Sequence, residues 1–316
     1  VRAIAVNKIG DIPELMDLPA PRPAPGEIAV RLEAASLNPI DAGIAAGYFE
    51  GRMPHVYPLV LGVDGAGRVT EVGEGVRGFE PGDLVHGQFL CAPLGRGTFA
   101  EYAVMPEFPD DGALLRVPDG VSAEVAAALP TAGMTALGAL DTIGPRPGRS
   151  ILIVGATGGV GVFAVQLAAR HGAEVIATAR YEADAWIRGL GATHTVDYTA
   201  GGVAEQVRET HPDGVDAVLD LTLDSARFAE NAGLVRDGGA ALSATFAATP
   251  ELLASERISV VNFMMQDKPD LLARITAEVA AGRITVPVQQ TITLDQVPDA
   301  LARSASGARG KTTIRI

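Results

Sequence analysis

Two features of this 316-residue chain have types and spacing that could do chemistry: a glycine-rich turn, and a cation placed one strand later. The apolar run Ile151-Leu152-Ile153-Val154 stops at Gly155-Ala156-Thr157-Gly158-Gly159-Val160-Gly161, and "GVFAVQLAARHG" then has helical spacing. A strand that ends in such a turn and opens into a helix aims free N–H groups and the positive helix end at an anion. Glycines let the main chain approach a pyrophosphate closely. The following strand-like run, "AEVIATA", completes the context that a dinucleotide fingerprint requires; the competing reading is a tight turn with no ligand. A site for NAD commonly ends that second strand in a carboxylate that takes the ribose diol. Here the position is Arg180, which suits the extra phosphate of NADP, although Glu182 and Asp184 follow closely and a solvated cation is the plain alternative.

Metal chemistry finds little support in the residue types. His55, His86, His171, His194 and His211 show no tight ligand pairing, and Cys91, the single cysteine, excludes an internal disulfide and a four-cysteine metal lobe. No metal site is expected.

The elements that must position these groups fall into two textures. Residues 1–117 alternate short β-rich runs such as "EIAVRLEAASL" and "GAGRVTEVG" with turn clusters, which reads as a strand-and-loop domain. Residues 118–283 begin with the Ala/Leu-rich helical stretch "SAEVAAALPTAGMTALGAL" and then alternate strand-like and helix-like runs, so a parallel sheet covered on both faces is expected. Residues 284–316 return to strands, in "ITVPVQQTITL" and "GKTTIRI", and are expected to rejoin the first domain. The fold class is therefore α/β, with a doubly wound parallel sheet beside a β-rich domain.

A formal net charge of −13 opposes nonspecific attraction to nucleic acid or anionic lipid, so neither is expected as a partner. No apolar run has membrane length and the start has no signal-peptide pattern, so a cytoplasmic protein is expected.

Six blocks in order extend the glycine turn into a resemblance that covers nearly the whole chain: "RAIAVNKIG", "SLNPIDAGIAAGYF", "PLVLGVDGAGRVTEVGEGVRGFEPGDLVHG", "ALPTAGMTAL", "GATGGVG" and "GKTTIRI". The chain resembles the medium-chain dehydrogenase/reductase superfamily, in its zinc-free, quinone oxidoreductase-like branch. The resemblance implies a GroES-like catalytic domain joined to a Rossmann domain, an active site in the cleft between them, NADPH as cofactor and a homodimer. By motif position, the ligands of zinc-dependent members correspond to Asn38, Val63 and Thr131, which lack the thiolate and imidazole donors that tetrahedral zinc wants.

The resemblance also implies roles. Asn38 can donate to a substrate oxygen or to the nicotinamide ribose, against the alternative of an amide satisfying a turn before proline. Asp41 is a weaker catalytic candidate that can simply cap a short helix. Tyr48 lies in the loop that overhangs the cleft and can stack on a quinone or donate a proton; the lysine with which polyketide enoyl reductases pair such a tyrosine has no counterpart in "ARYEADAW". Thr135 matches a threonine near the nicotinamide and Tyr198 an aromatic near the adenosine 2′-phosphate. Ser243, Thr245 and Phe246, with Asn262 and Phe263, end two apolar runs whose backbone grips the carboxamide. Lys311 can reach the cofactor from the last strand, an exposed charge being the default for lysine.

Without a metal Lewis acid, hydride transfer works best on acceptors already activated by conjugation, so the expected reaction is reduction of a quinone or an α,β-unsaturated carbonyl by NADPH. An enoyl reductase or reductive cyclase of a natural-product pathway is the alternative within enzymes. A cofactor-binding structural or regulatory protein without turnover is the alternative outside them.

Overall fold

The computed structural model describes residues 1–303 and 309–316, and groups them into two compact units, Val1–Met134 with Asp267–Ile316, and Thr135–Gln266.

In the first unit, β1 (Arg2–Val6), β2 (Glu14–Asp17), β4 (His55–Val60) and β7 (Leu94–Arg96) make a four-stranded sheet in the order β2-β1-β4-β7. A larger sheet runs β16-β17-β3-β5-β6-β9, from β3 (Glu27–Ser36), β5 (Asp64–Val72), β6 (Leu84–Gln88), β9 (Ala113–Arg116), β16 (Val288–Thr293) and β17 (Lys311–Arg315), and β8 (Tyr102–Pro106) adds to β3. The C-terminal strand thus lies antiparallel to β3, Thr313 opposite Ser36, as its β-branched sequence suggested. Helix α1 (Pro39–Ala45) starts directly after β3, with proline at its first turn. The stretch "SAEVAAALPTAGMTALGAL" is two helices rather than one: α2 (Ala123–Ala127) and α3 (Pro130–Ile143) are separated at Pro130, whose ring and missing N–H allow it to begin a helix but not to continue one. Ala126 and Ala127 of α2 pack on Ala34 of β3 and Ala66 of β5, small side chains that let the helix lie close to the sheet.

The second unit is a six-stranded, all-parallel sheet in the order β12-β11-β10-β13-β14-β15. Its strands are β10 (Ser150–Val154), β11 (Glu174–Thr178), β12 (His194–Val196), β13 (Val215–Asp220), β14 (Val235–Ser243) and β15 (Ser259–Asn262), with crossovers that include α4 (Gly161–Arg170), α5 (Asp184–Gly189), α6 (Val203–Thr210) and α7 (Ser225–Ala232). The chain steps outward from β10 through β11 to β12, then returns to the other side of β10. This order creates a switch point between β10 and β13, and ligands of such sheets bind beyond the carboxyl ends of the strands at that point. All five residues of β10 are buried, as a continuous apolar run in a doubly covered sheet must be. After the short α8 (Pro250–Leu253) and β15, helix α9 (Lys268–Ala280) groups with the first unit, where it packs on β9. Its Thr276 hydroxyl lies 3.3 Å from His86 Nε2. The sequence-based joins at residues 117 and 284 both fall inside the first unit by this grouping. Helix α10 (Val297–Arg303) precedes β17.

Candidate functional site

The carboxyl edge of the second unit's sheet gathers most of the residues singled out for a nucleotide. Gly155 leaves β10 with φ +80°, a left-handed conformation that favours glycine, and its N–H donates to Thr178 Oγ1 at the end of β11 (2.9 Å). A Cβ on Gly161 would sit 2.4 Å from Gly155 O and 2.5 Å from Ala156 O, so the first turn of α4 can close against the strand end only without a side chain there. Thr157, Gly158, Gly159 and Val160 complete the turn, with Gly158 N–H donating to Gly155 O (3.0 Å).

One strand along, Arg180 is exposed; its Nε donates to Tyr198 Oη (2.9 Å) and its guanidinium lies over the same ring, 5.8 Å from the centroid. Two residues chosen separately from the sequence are therefore partners. The nearby carboxylate of Asp197 is already occupied, accepting from Tyr181 N–H (3.1 Å) and from Thr199 N–H and Oγ1 (2.8 and 2.6 Å). On the other side of the switch point, Ser243 Oγ accepts from Ala247 N–H (2.9 Å), Thr245 donates to Thr222 O, and Phe263 N–H donates to Ser243 O (2.8 Å). Asn262 pins the loop by a reciprocal pair with the Ala248 backbone, both bonds 3.0 Å. Phe246 sits at the tip of that loop with φ +62°, a strained conformation for a bulky residue, and is half exposed. Thr135 Oγ1 donates to Met265 Sδ (3.5 Å).

Sequence reasoning passed over Asp220 on this edge. Its buried carboxylate accepts from Thr222 N–H (2.8 Å) and Oγ1 (2.6 Å), which fixes the loop whose Leu221 Cβ lies 3.2 Å from where a Cβ on Gly155 would be. Burial pushes its carboxyl above the ordinary aspartate range, against the pull of those donors. An acidic residue closing the apolar run Ala217-Val218-Leu219 was the available signal.

The catalytic candidates belong to the first unit, and two of them lie in a buried polar cluster. Asp41 stands at the third position of α1, where one carboxylate oxygen accepts from Asn38 N–H (2.7 Å) and the other from Val63 N–H (2.9 Å). It caps its helix from inside, as the plain alternative had it, and is fully buried. Asn38 Nδ2 donates to Asp64 Oδ2 (2.9 Å) and Ser36 O (3.2 Å), and its Oδ1 accepts from Lys311 Nζ at 2.6 Å. Asp64 also accepts from Thr131 Oγ1 (2.7 Å) and Thr131 N–H (3.0 Å), and Gln88 Nε2 donates to Thr131 Oγ1 (2.7 Å). Lys311 is therefore not the exposed charge that is usual for lysine: it is 2% exposed and its ammonium is tied to Asn38 and to Leu37 O (3.2 Å). Tyr48 stands outside the cluster, half exposed, edge-on to Phe49 (5.0 Å) and with Arg52 over its ring (5.3 Å).

Two carboxylates and one ammonium share this low-dielectric space. Loss of water pushes Asp41 up to about 8, with the charge of Asp64 adding to the rise and the N–H groups of Asn38 and Val63 and the Lys311 charge opposing it. Asp64 moves up by burial while Lys311 holds it back, and Lys311 moves down by burial while both aspartates hold it up. Next to them His86 is fully buried and neutral: Nδ1 donates to Ala126 O (3.0 Å) and burial brings its pKa down to about 4. Asp64 and Gln88 escaped the sequence analysis, and His86 entered it only as a histidine without a ligand pairing, because a polar residue inside a β run gives no sign of which face it takes. The register supplies it: Thr313, Ser36, Asp64 and Gln88 lie side by side across β17, β3, β5 and β6, and all four are buried.

The resemblance to zinc-dependent members puts a zinc ion, were there one, at Asn38, Val63 and Thr131. The three motif positions offer an amide, an apolar side chain and a hydroxyl; Val63 cannot coordinate, and Asn38 and Thr131 are both bound to Asp64. No group of three or more His, Cys, Asp or Glu with metal-binding geometry occurs among the described residues. This donor set does not fit a tetrahedral zinc ion.

A β-rich unit with a buried polar centre, joined in one chain to a parallel sheet of this strand order with a glycine turn at its switch point, defines a class: the two-domain, nucleotide-dependent oxidoreductases. Residues 24–119 match the model of the alcohol dehydrogenase GroES-like domain, and residues 190–314 that of a zinc-binding dehydrogenase. The chain is 32% identical to the chloroplast envelope quinone oxidoreductase homolog of Arabidopsis thaliana, over 95% of this chain and 93% of that protein. It is 30% identical to the mitochondrial NAD(P)H oxidoreductase RTN4IP1 of Homo sapiens, over 92% of this chain and 82% of that protein. A solved NAD-dependent alcohol dehydrogenase superposes with a TM-score of 0.87 and 31% identity, over 100% of both chains. The chain belongs to the medium-chain dehydrogenase/reductase superfamily, in its quinone oxidoreductase-like branch. Among the described residues no helix is long and apolar enough to cross a membrane.

Proposed function

We propose that this protein is an NADPH-dependent reductase that passes hydride to a quinone or an α,β-unsaturated carbonyl without zinc, working in the cytoplasm as a homodimer. The observation that carries the reading is the donor set at Asn38, Val63 and Thr131. Two of these side chains are committed to Asp64 and the third cannot coordinate, so a simple carbonyl would find no Lewis acid here. A conjugated acceptor needs none, because hydride added at its far carbon moves charge onto an oxygen through the π system.

The cofactor reading rests on fit. The turn Gly155 to Gly161 lets the end of β10 and the first turn of α4 come close without side chains, and such a helix start can present free N–H groups to a pyrophosphate. Arg180, backed by Tyr198, presents a guanidinium where an NAD site commonly presents a carboxylate, and Asp197 is spent on the backbone. These residues favour a 2′-phosphate, in contrast to the cofactor named for the NAD-dependent alcohol dehydrogenase of similar fold. Ser243, Thr245, Phe246, Asn262 and Phe263 fix two strand-end loops whose backbone would orient the carboxamide, with Thr135 on the nicotinamide side. Bound NADPH supplies the hydride; the chain holds it, orients it and excludes water. On the substrate side Asn38 and Asp41 give a fixed polar wall, and the solvated phenol of Tyr48 is the available proton donor.

The test is steady-state oxidation of NADPH and NADH by the purified protein with a simple quinone and a simple enone. Turnover that favours NADPH supports the reading. Tight NADPH binding with no turnover across a broad acceptor panel would replace it with a cofactor-binding protein.

A further inference from the structure

We propose that Lys311 and Asp64 form a clamp of opposite charges that positions Asn38, and through it the start of α1, for the reaction; this rests on reading the cluster as the substrate side of a reductase. An asparagine amide has two ends of opposite polarity, and each end here meets a full charge. Oδ1 faces the Lys311 ammonium at 2.6 Å and Nδ2 faces the Asp64 carboxylate at 2.9 Å. Turning the amide over would set NH2 against the ammonium and C=O against the carboxylate, so the two charges select one orientation.

The charges come from two strands far apart in the sequence, β17 and β5, on either side of β3, and both are buried. Buried charges are costly unless each is paired and hydrogen-bonded. Asp64 meets that demand with Thr131 N–H and Oγ1, Lys311 with Leu37 O, and the amide lies between them. A neutral side chain that two buried charges grip from both ends is held more tightly than packing alone would hold it. What it holds is the entry to α1. Asn38 precedes Pro39, its own N–H donates to Asp41, and the chain then runs through α1 to Tyr48. The clamp therefore sets Asn38, Asp41 and the loop of Tyr48 together. The glycine turn and Arg180 belong to the other unit, so the clamp is expected to leave cofactor binding unchanged.

Lys311→Met, Asp64→Asn, the double variant and Lys311→Arg, all in the full chain, test this by three readouts: urea unfolding, NADPH affinity from quenching of protein fluorescence, and kcat with an enone. Each neutralising single variant is expected to lower the urea midpoint, and the double, which leaves no unpaired charge, to unfold above either. In the double variant kcat is expected to fall at least tenfold while NADPH affinity stays within twofold of the parent, and Lys311→Arg is expected to retain more kcat than Lys311→Met. Additive effects on unfolding would mean that no clamp exists. Coupled unfolding with kcat of the double variant within twofold of the parent would mean that the network only supports the fold, and would overturn the positioning role. Should a single variant not fold, the double variant carries both readouts through its midpoint and its kcat. A parent protein that turns over no acceptor would defeat the functional reading and the positioning role with it, and the coupling in unfolding would then decide whether the clamp itself exists.

Discussion

The glycine edge of the second unit and the polar cluster of the first, the places proposed for cofactor and substrate, are built by opposite means. At the glycine edge, main-chain atoms do most of the work: Gly155 and Gly161 remove side chains so that strand and helix ends come close, and the cation one strand along, Arg180, is exposed. In the cluster, side chains do the work, and Asp41, Asp64 and Lys311 are ionisable groups taken out of water. The first arrangement suits a ligand that brings its own charge. The second is already charge-paired, which suits an electron-poor substrate that needs a fixed wall rather than a counter-ion.

Substitution can break this contrast. Gly161→Ala should have the largest effect: the added Cβ would lie 2.4 Å from a carbonyl oxygen, and moving backbone to relieve it costs about 2 kcal/mol or more, so a lower melting temperature and loss of NADPH binding are expected together. In the cluster, the expected signature is pH dependence. The folded state holds the Asp41 proton up to about 8 against an ordinary aspartate value of 3.8, so the stability this group contributes is fully present below pH 3.8 and is lost as pH rises to 8. Asp41→Asn should remove this falling component, worth on the order of a few kcal/mol, from a series of urea midpoints compared with the parent, even though the variant is less stable throughout. His86 works in the opposite sense: its folded pKa of about 4 lies below the ordinary histidine value of 6.5, so its contribution is present above pH 6.5 and is lost as pH falls towards 4.

Smaller effects separate the cofactors. Arg180→Ala should weaken NADPH binding by roughly tenfold to a hundredfold, the range for a charged hydrogen bond to phosphate, and leave NADH binding nearly unchanged. Equal losses for both would show that Arg180 does not read the 2′-phosphate. Tyr198→Phe removes only the hydroxyl that accepts from Arg180 and keeps the ring beneath the guanidinium, so a loss of NADPH affinity of about threefold is expected by titration.

The two regions also differ in how far the sequence revealed them. The glycine edge was legible because its residues are nearly contiguous and strand, turn and helix follow in order; even the Arg180–Tyr198 contact joins positions only 18 apart. Strands β3, β5, β10, β11, β16 and β17 were likewise legible from β-rich or apolar runs bounded by turn residues, and Pro130 divided one helical stretch in two. The cluster was half hidden. Asn38 and Asp41 stood out through motif position, whereas Asp64, Gln88 and Lys311 come from three strands up to 273 residues from Asn38, and only strand register brings them together. Lysine is so commonly exposed that nothing local marked Lys311 as buried; its two aspartate neighbours, invisible in sequence order, are what make that burial tolerable.

The most direct test of the central claim, hydride transfer to a conjugated acceptor with no metal assisting, is NADPH oxidation with an enone before and after exhaustive treatment with a strong zinc chelator. The account predicts that the chelated protein keeps its full rate, and that deuterium from 4-deuterated NADPH appears at the carbon farthest from the carbonyl. Loss of turnover on chelation with recovery on adding zinc would contradict it.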